Sequence, residues 1–147
     1  MPELPLSGVR VLDFTWVGVG PQTTKYLSDH GATVVRVETV HHLDILRTAP
    51  PYANGIPGPD RSAYFANFNR NKYSFTLNLN HPAGPRVARR LVAWADILAE
   101  SFTPGTVEHW GLHYEAVRRA KPDIIYFSTS QQGASGPDAG HPGFGSQ

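Results

Sequence analysis

The sequence predicts an α/β fold, a Rossmann-like three-layer structure with a parallel sheet between two sets of helices. Three observations point there. A strand, a glycine turn, a helix and a second strand follow one another between Gly8 and Glu38. Short strand-like runs recur at Tyr73, Ile97 and Asp123, and helical stretches lie between them. Parallel neighbours need a crossover of about a dozen residues, which those stretches supply.

The first strand draws on Val9, Val11, Leu12 and Phe14. Gly18-Val19-Gly20 turns the chain, Pro21 opens a helix that Gly31 ends, and Thr33–Val37 is the second strand. The turn sets backbone N–H groups and the positive end of a helix dipole at the strand's carboxyl edge, a position suited to an anionic cofactor. Residues 39–71 read as a long irregular region rich in proline and glycine, with Tyr52, Tyr64, Phe65 and Phe68 favouring an ordered, packed loop. Tyr73–Leu79 alternates apolar and polar residues, the pattern of a half-buried strand. Asn80 and Pro82 signal a helix start, and Val87, Leu91, Trp94 and Ala95 share one helical face. Ile97–Phe102 is a strand broken by Pro104-Gly105, residues 106–110 make a helical turn, and Tyr114–Ala120 forms a helix stopped by Pro122. Asp123–Phe127 is continuously apolar after its first residue, as expected of a strand covered on both faces.

At 147 residues the chain is the size of one domain. Its net charge of +1 gives no field for nucleic acid or an acidic membrane surface. The absence of cysteine excludes disulfides and thiolate chemistry and fits a reducing cytoplasm. No apolar run approaches the ~20 residues of a membrane-spanning helix, and no basic-then-apolar leader opens the chain, so a cytoplasmic location is expected. Residues 131–147 are glycine-rich and lack apolar periodicity. The expectation is that residues 1–147 form an incomplete coenzyme-binding α/β domain, the front of a longer protein or a subunit completed elsewhere.

Local chemistry narrows the reading only so far. Gly18-Val19-Gly20 followed by Glu38 has the outline of a dinucleotide fingerprint, but its third glycine is replaced by Thr23, which disfavours a nicotinamide cofactor. A tight turn without a ligand stays an alternative. Of seven histidines only His41 and His42 adjoin, so no metal site is expected. Asp13 lies within a strand, where anchoring a loop is a better reading than catalysis. Asp29, Glu38, Asp44, Asp96 and Glu100 are available carboxylates, and nothing local selects one.

The order of motifs resembles the family III coenzyme A transferases, the group of formyl-CoA and carnitine CoA-transferases that also includes the 2-methylacyl-CoA racemases. The matching stretches are LSGVRVLDFTWVGVGPQTTKYLSDHGATVVRVE, LDILR, FNRNKYSFTLNLN, ADILAESFTPGTVEHWGL, PDIIYFSTSQQGASGP and PGFG, in the family's order and spacing. The resemblance implies the N-terminal part of that family's Rossmann-like large domain. It also implies an interlocked dimer, or a heteromer with a homologous chain, and ping-pong transfer of coenzyme A between carboxylic acids through aspartyl intermediates. Coenzyme A and acyl-CoA would be substrates, with no permanently bound cofactor.

Carried over by position, coenzyme contacts fall at Val17, Gly18, Thr39, Leu77, Asn80, Ser101, Phe102, His109 and Trp110. Arg47 and Lys72 match family basic residues, with loop anchoring as the equal alternative. A formyl-CoA transferase-like member has Arg at Thr39, Lys at Asn80, Asn at Ser101 and Arg at His109. Loss of those cations implies weaker binding of the coenzyme's phosphates, strengthened on acidification if His109 is a contact. The family's nucleophilic Asp falls beyond Gln147, the acid of the PGFG motif is Gly145 here, and the racemase histidine is Phe144. These residues alone are therefore not expected to catalyse; a non-catalytic coenzyme-binding subunit and a racemase-type enzyme are the alternatives.

Overall fold

A computed structural model describes residues 3–141 and 143; the expectations for Phe144 and Gly145 lie outside the described residues. Five strands form one sheet in the order β3-β2-β1-β4-β5, every neighbouring pair parallel: β1 Arg10–Phe14, β2 Thr33–Glu38, β3 Tyr73–Thr76, β4 Ile97–Glu100 and β5 Ile125–Ser128. Helices α1 (Val19–Asp29), α2 (Ala63–Asn69), α3 (Gly84–Trp94) and α4 (Tyr114–Ala120) supply the crossovers. Three single-turn helices lie at Ile45–Thr48, Ala53–Gly55 and Val107–Trp110.

The central strand divides its side chains between two cores, as alternation along a strand requires. Leu12 and Phe14 pack with Ala88, Val92 and Ala95 of the α3 layer. Val11 packs with Val34 and Leu27 beside α1, and Asp13 bonds Thr24 of α1 on that same face. Helices therefore cover both faces, giving the expected three layers. At the centre the connections from β1 and β4 leave for opposite faces. The crevice beyond the carboxyl ends of those two strands is the position where open α/β sheets bind ligands.

Four expectations need correction. α1 begins at Val19, so Pro21 sits inside its first turn rather than opening it. The region 39–71 is not wholly irregular: α2 forms within it, with Ser62 Oγ accepting from the Phe65 N–H. The strand predicted over 73–79 ends at Thr76 and lies at an edge, with all four residues exposed; Leu77 and Leu79 leave the strand to pack on the core. The last strand is the other edge, and Ile125 is 62% exposed rather than covered on both faces.

Candidate functional site at the carboxyl edge of the sheet

Between β1 and α1 the chain makes a turn whose successive N–H groups are each tied to a different acceptor. Thr15 N donates to Asp13 Oδ1 at 2.9 Å, Trp16 N to Ser101 Oγ at 2.7 Å, and Val17 N to Asp44 Oδ2 at 3.2 Å. The Ser101 hydroxyl donates back to Trp16 O at 3.3 Å, joining the turns that follow β1 and β4. Across the crevice Glu100 Oε2 accepts from Phe102 N at 2.9 Å.

Val17 sits at φ 63°, a left-handed conformation that β-branched residues avoid. The next residues enter α1 without a side-chain cap, so its first N–H groups have no partner within the helix. Gly20 is obligatory here: a Cβ would lie 2.5 Å from Thr15 Cβ.

Two clefts open on this edge. The first, about 570 Å³, lies between residues 16–20, the Ser101–Pro104 turn and the Thr129–Gln131 segment, with His141 at its margin. Among the described residues its walls contain no Lys, Arg, Asp or Glu. The second, about 380 Å³, is formed by Thr39, His42, residues 77–80 and Trp110, with Glu38 the one carboxylate among the described residues of its wall.

Trp16 and Phe102 wall both clefts. They belong to an aromatic row: His42–Trp16 at 5.2 Å, Trp16–Phe102 at 6.2 Å and Phe102–Trp110 at 5.3 Å between ring centres. Trp110 Nε1 donates to Asn80 Oδ1 at 3.0 Å, which fixes the far end of the row.

Beneath the clefts the charged residues pair with one another. Arg36, 1% exposed, lies 2.8 Å from Glu38 and 2.6 Å from Asp44. Arg47 forks onto both oxygens of Glu38 at 2.8 and 2.7 Å and reaches Asp60 at 2.6 Å, stacked 3.5 Å above the Phe65 ring. Burial pushes the Glu38 carboxyl up, but the hydrogen bond from Arg47 and the two guanidinium charges outweigh it and hold the group below the usual carboxylate range. Lys72 Nζ reaches Asp13 Oδ2 at 3.0 Å, Pro21 O at 2.8 Å and Asn69 Oδ1 at 3.0 Å. Burial lowers its pKa, and Asp13 opposes that shift.

Of the residues singled out from the sequence, Val17, Gly18, Ser101 and Phe102 line the first cleft. Thr39, Leu77 and Asn80 line the second, with Phe102 and Trp110. Arg47 and Lys72 lie in the ion-paired layer, and His109 is exposed on the 107–110 turn outside both walls. Asp13 anchors the turn through Thr15, Thr24 and Lys72. Sequence reasoning missed Trp16 and His42. Trp16 precedes the turn directly, and its large ring at a strand's carboxyl end was the available signal; His42 offered none.

Residues 6–147 match the model of CoA-transferase family III. The chain is 39% identical over 141 residues to succinyl-CoA:glutarate CoA-transferase of Mus musculus, covering 95% of this chain and 31% of that protein. Against acetyl-CoA:oxalate CoA-transferase of Acetobacter aceti the identity is 38% over 143 residues, 97% of this chain and 36% of the relative. The succinyl-CoA–L-malate CoA-transferase beta subunit of Chloroflexus aurantiacus is 39% identical over 142 residues, 96% of this chain and 34% of its own. Among solved structures, a CAIB/BAIF family protein from Brucella suis superposes with a TM-score of 0.87 at 35% identity, over 97% of this chain and 38% of that one. The chain thus spans about a third of the length of these relatives.

Proposed function

We propose that this chain, which belongs to CoA-transferase family III, supplies the coenzyme-binding elements of an enzyme that moves coenzyme A between carboxylic acids. The observation that carries the reading is the pair of clefts sharing the Trp16–Phe102 wall at the carboxyl edge of β1 and β4. The second cleft offers aromatic faces and neutral polar groups, suited to a purine ring. The first offers the uncapped start of α1 and a chamber with no Lys, Arg, Asp or Glu among the described residues of its walls, suited to the pantetheine arm and its thioester.

On this reading acyl-CoA and a free carboxylic acid are substrates, and nothing is held permanently as a cofactor. The reactive group is an Asp outside these residues, forming aspartyl intermediates, and residues 1–147 are an N-terminal binding domain. The working form is a cytoplasmic homodimer or a heteromer with a homologous chain. Among the described residues no helix is long and apolar enough to cross a membrane. The beta-subunit relative supports a second reading, in which this chain is the non-catalytic binding subunit of a heteromer.

Titration calorimetry and tryptophan fluorescence with coenzyme A test the proposal. Trp16 and Trp110 wall the second cleft whereas Trp94 does not, so coenzyme A should change the emission of wild-type protein, and Trp16→Phe with Trp110→Phe should abolish the change. Transferase activity appearing only on addition of a homologous chain supports the subunit reading. A covalent acyl adduct formed on this chain alone would refute the placement of the nucleophile.

A further inference from the structure

Asp44 walls neither cleft, yet its carboxylate joins three segments. It is 1% exposed. Oδ2 receives Arg36 Nη2 of β2 at 2.6 Å and Val17 N at 3.2 Å, while Oδ1 receives Leu46 N at 2.9 Å. Val17 is a β-branched residue at φ 63°, a conformation that persists only where its surroundings impose it. Its flanking N–H at Trp16 is held separately by Ser101, so the contact that bears on Val17 itself is the one from Asp44.

The next residues, Gly18 to Gly20, are the ones that present the start of α1 to the first cleft. A turn released at Val17 would return to negative φ and rotate those amides away. Arg36 matters as much as the acceptor itself: its guanidinium, 2.6 Å from Asp44 Oδ2, supplies the buried carboxylate with an opposite charge.

We infer that Asp44 is the positioning residue of the coenzyme-binding turn, an Arg36-held carboxylate that locks Val17 in the left-handed conformation and so aims the Gly18–Gly20 amides at the ligand. The inference rests on the functional reading above for the identity of that ligand, but the clamp is measurable without it.

The test uses Asp44→Asn, Val17→Gly and the double variant, with coenzyme A as the probe in calorimetry. A hydrogen bond to a charged group is worth about tenfold or more in the population of the conformation it holds, and affinity falls with that population, so Asp44→Asn should weaken binding by about that factor. Glycine adopts positive φ without strain, so whatever affinity Val17→Gly itself has, Asp44→Asn added to it should cost far less than Asp44→Asn costs the wild-type turn. A role confined to general stability would not produce this rescue. Equal losses in both backgrounds, or a folded Asp44→Asn that binds like wild type, would overturn the inference.

Hydrogen exchange of the Val17 amide in the wild-type chain decides the matter even where Asp44→Asn fails to fold: slow exchange is expected of an amide held by a buried carboxylate, and fast exchange overturns the clamp. Coenzyme binding with a fast-exchanging Val17 would defeat the clamp alone. A slow Val17 in a chain that binds no coenzyme would defeat the functional reading.

Discussion

The layer under β1 and β2 and the clefts at their carboxyl ends are built from opposite kinds of residue. Below, Asp13, Arg36, Glu38 and Asp44 are buried and paired with one another or with the half-buried Lys72 and Arg47. Above, among the described residues, the first cleft has no Lys, Arg, Asp or Glu in its walls and the second only Glu38. The difference teaches that charge in this chain fixes the shape of the turns, leaving backbone amides and aromatic faces to line the clefts. It also accounts for the two basic residues of the family pattern that lie away from the clefts: Arg47 and Lys72 are occupied by carboxylates.

If that division is right, breaking the lower layer should first cost stability. Lys72→Met leaves Asp13 buried without its cation and should destabilise the fold by about 3–5 kcal/mol, read from urea unfolding. Unchanged stability would mean that the Thr15 N–H and the Thr15 and Thr24 hydroxyls satisfy Asp13 without a cation.

Gly84→Ala sharpens the contrast from the other side. A Cβ there would lie 2.2 Å from Asn78 O and 2.9 Å from Leu79 Cα, backbone that cannot step aside without moving a wall of the second cleft. A loss of about 1–3 kcal/mol is expected, together with weaker coenzyme A binding. Loss of stability with affinity intact would separate that wall from the ligand.

Legibility followed the same divide. The strands and the site at their carboxyl ends were readable because apolar runs, glycines and caps are local signals. Edge position was not: Tyr73–Thr76 carries the pattern of a half-buried strand and Ile125–Ser128 that of a covered one, and only the observed strand order exposes them as edges. α2 hid behind its aromatic composition, although Ser62 three residues before Phe65 was a readable cap. Asp44 could not be singled out among the carboxylates, since its partners Val17 and Arg36 lie 27 and 8 residues away. The clue was Arg36, a guanidinium between Val35 and Val37 in β2, an interior strand of the sheet.

Acid titration gives a smaller effect at a place remote from either cleft. The Lys25 hydrogen bond, with Arg70 and Asn71, holds the Asp29 carboxyl at about 2, against 3.8 for the free group. Its folded value is depressed, so the stability it contributes is fully present above 3.8 and is lost as pH falls through about 2. Asp29→Asn should flatten the acid limb of the stability profile in that window and leave coenzyme binding at neutral pH unchanged. The smallest effect belongs to Asp60→Asn. The Asp60 side chain is 87% exposed although it reaches Arg47, and exposed pairs contribute about 0–1 kcal/mol. A larger loss would show that the ion-paired layer extends to the surface.

The most direct test of the division between scaffold and site is an amide and indole NMR titration of the chain with coenzyme A. The account predicts that the Gly18, Val19 and Gly20 amides and the Trp16 and Trp110 indoles move together and saturate, while the Arg36 and Lys72 side-chain signals stay in place. Saturable shifts centred on Arg36, Arg47 and Lys72, with the glycine turn silent, would contradict it.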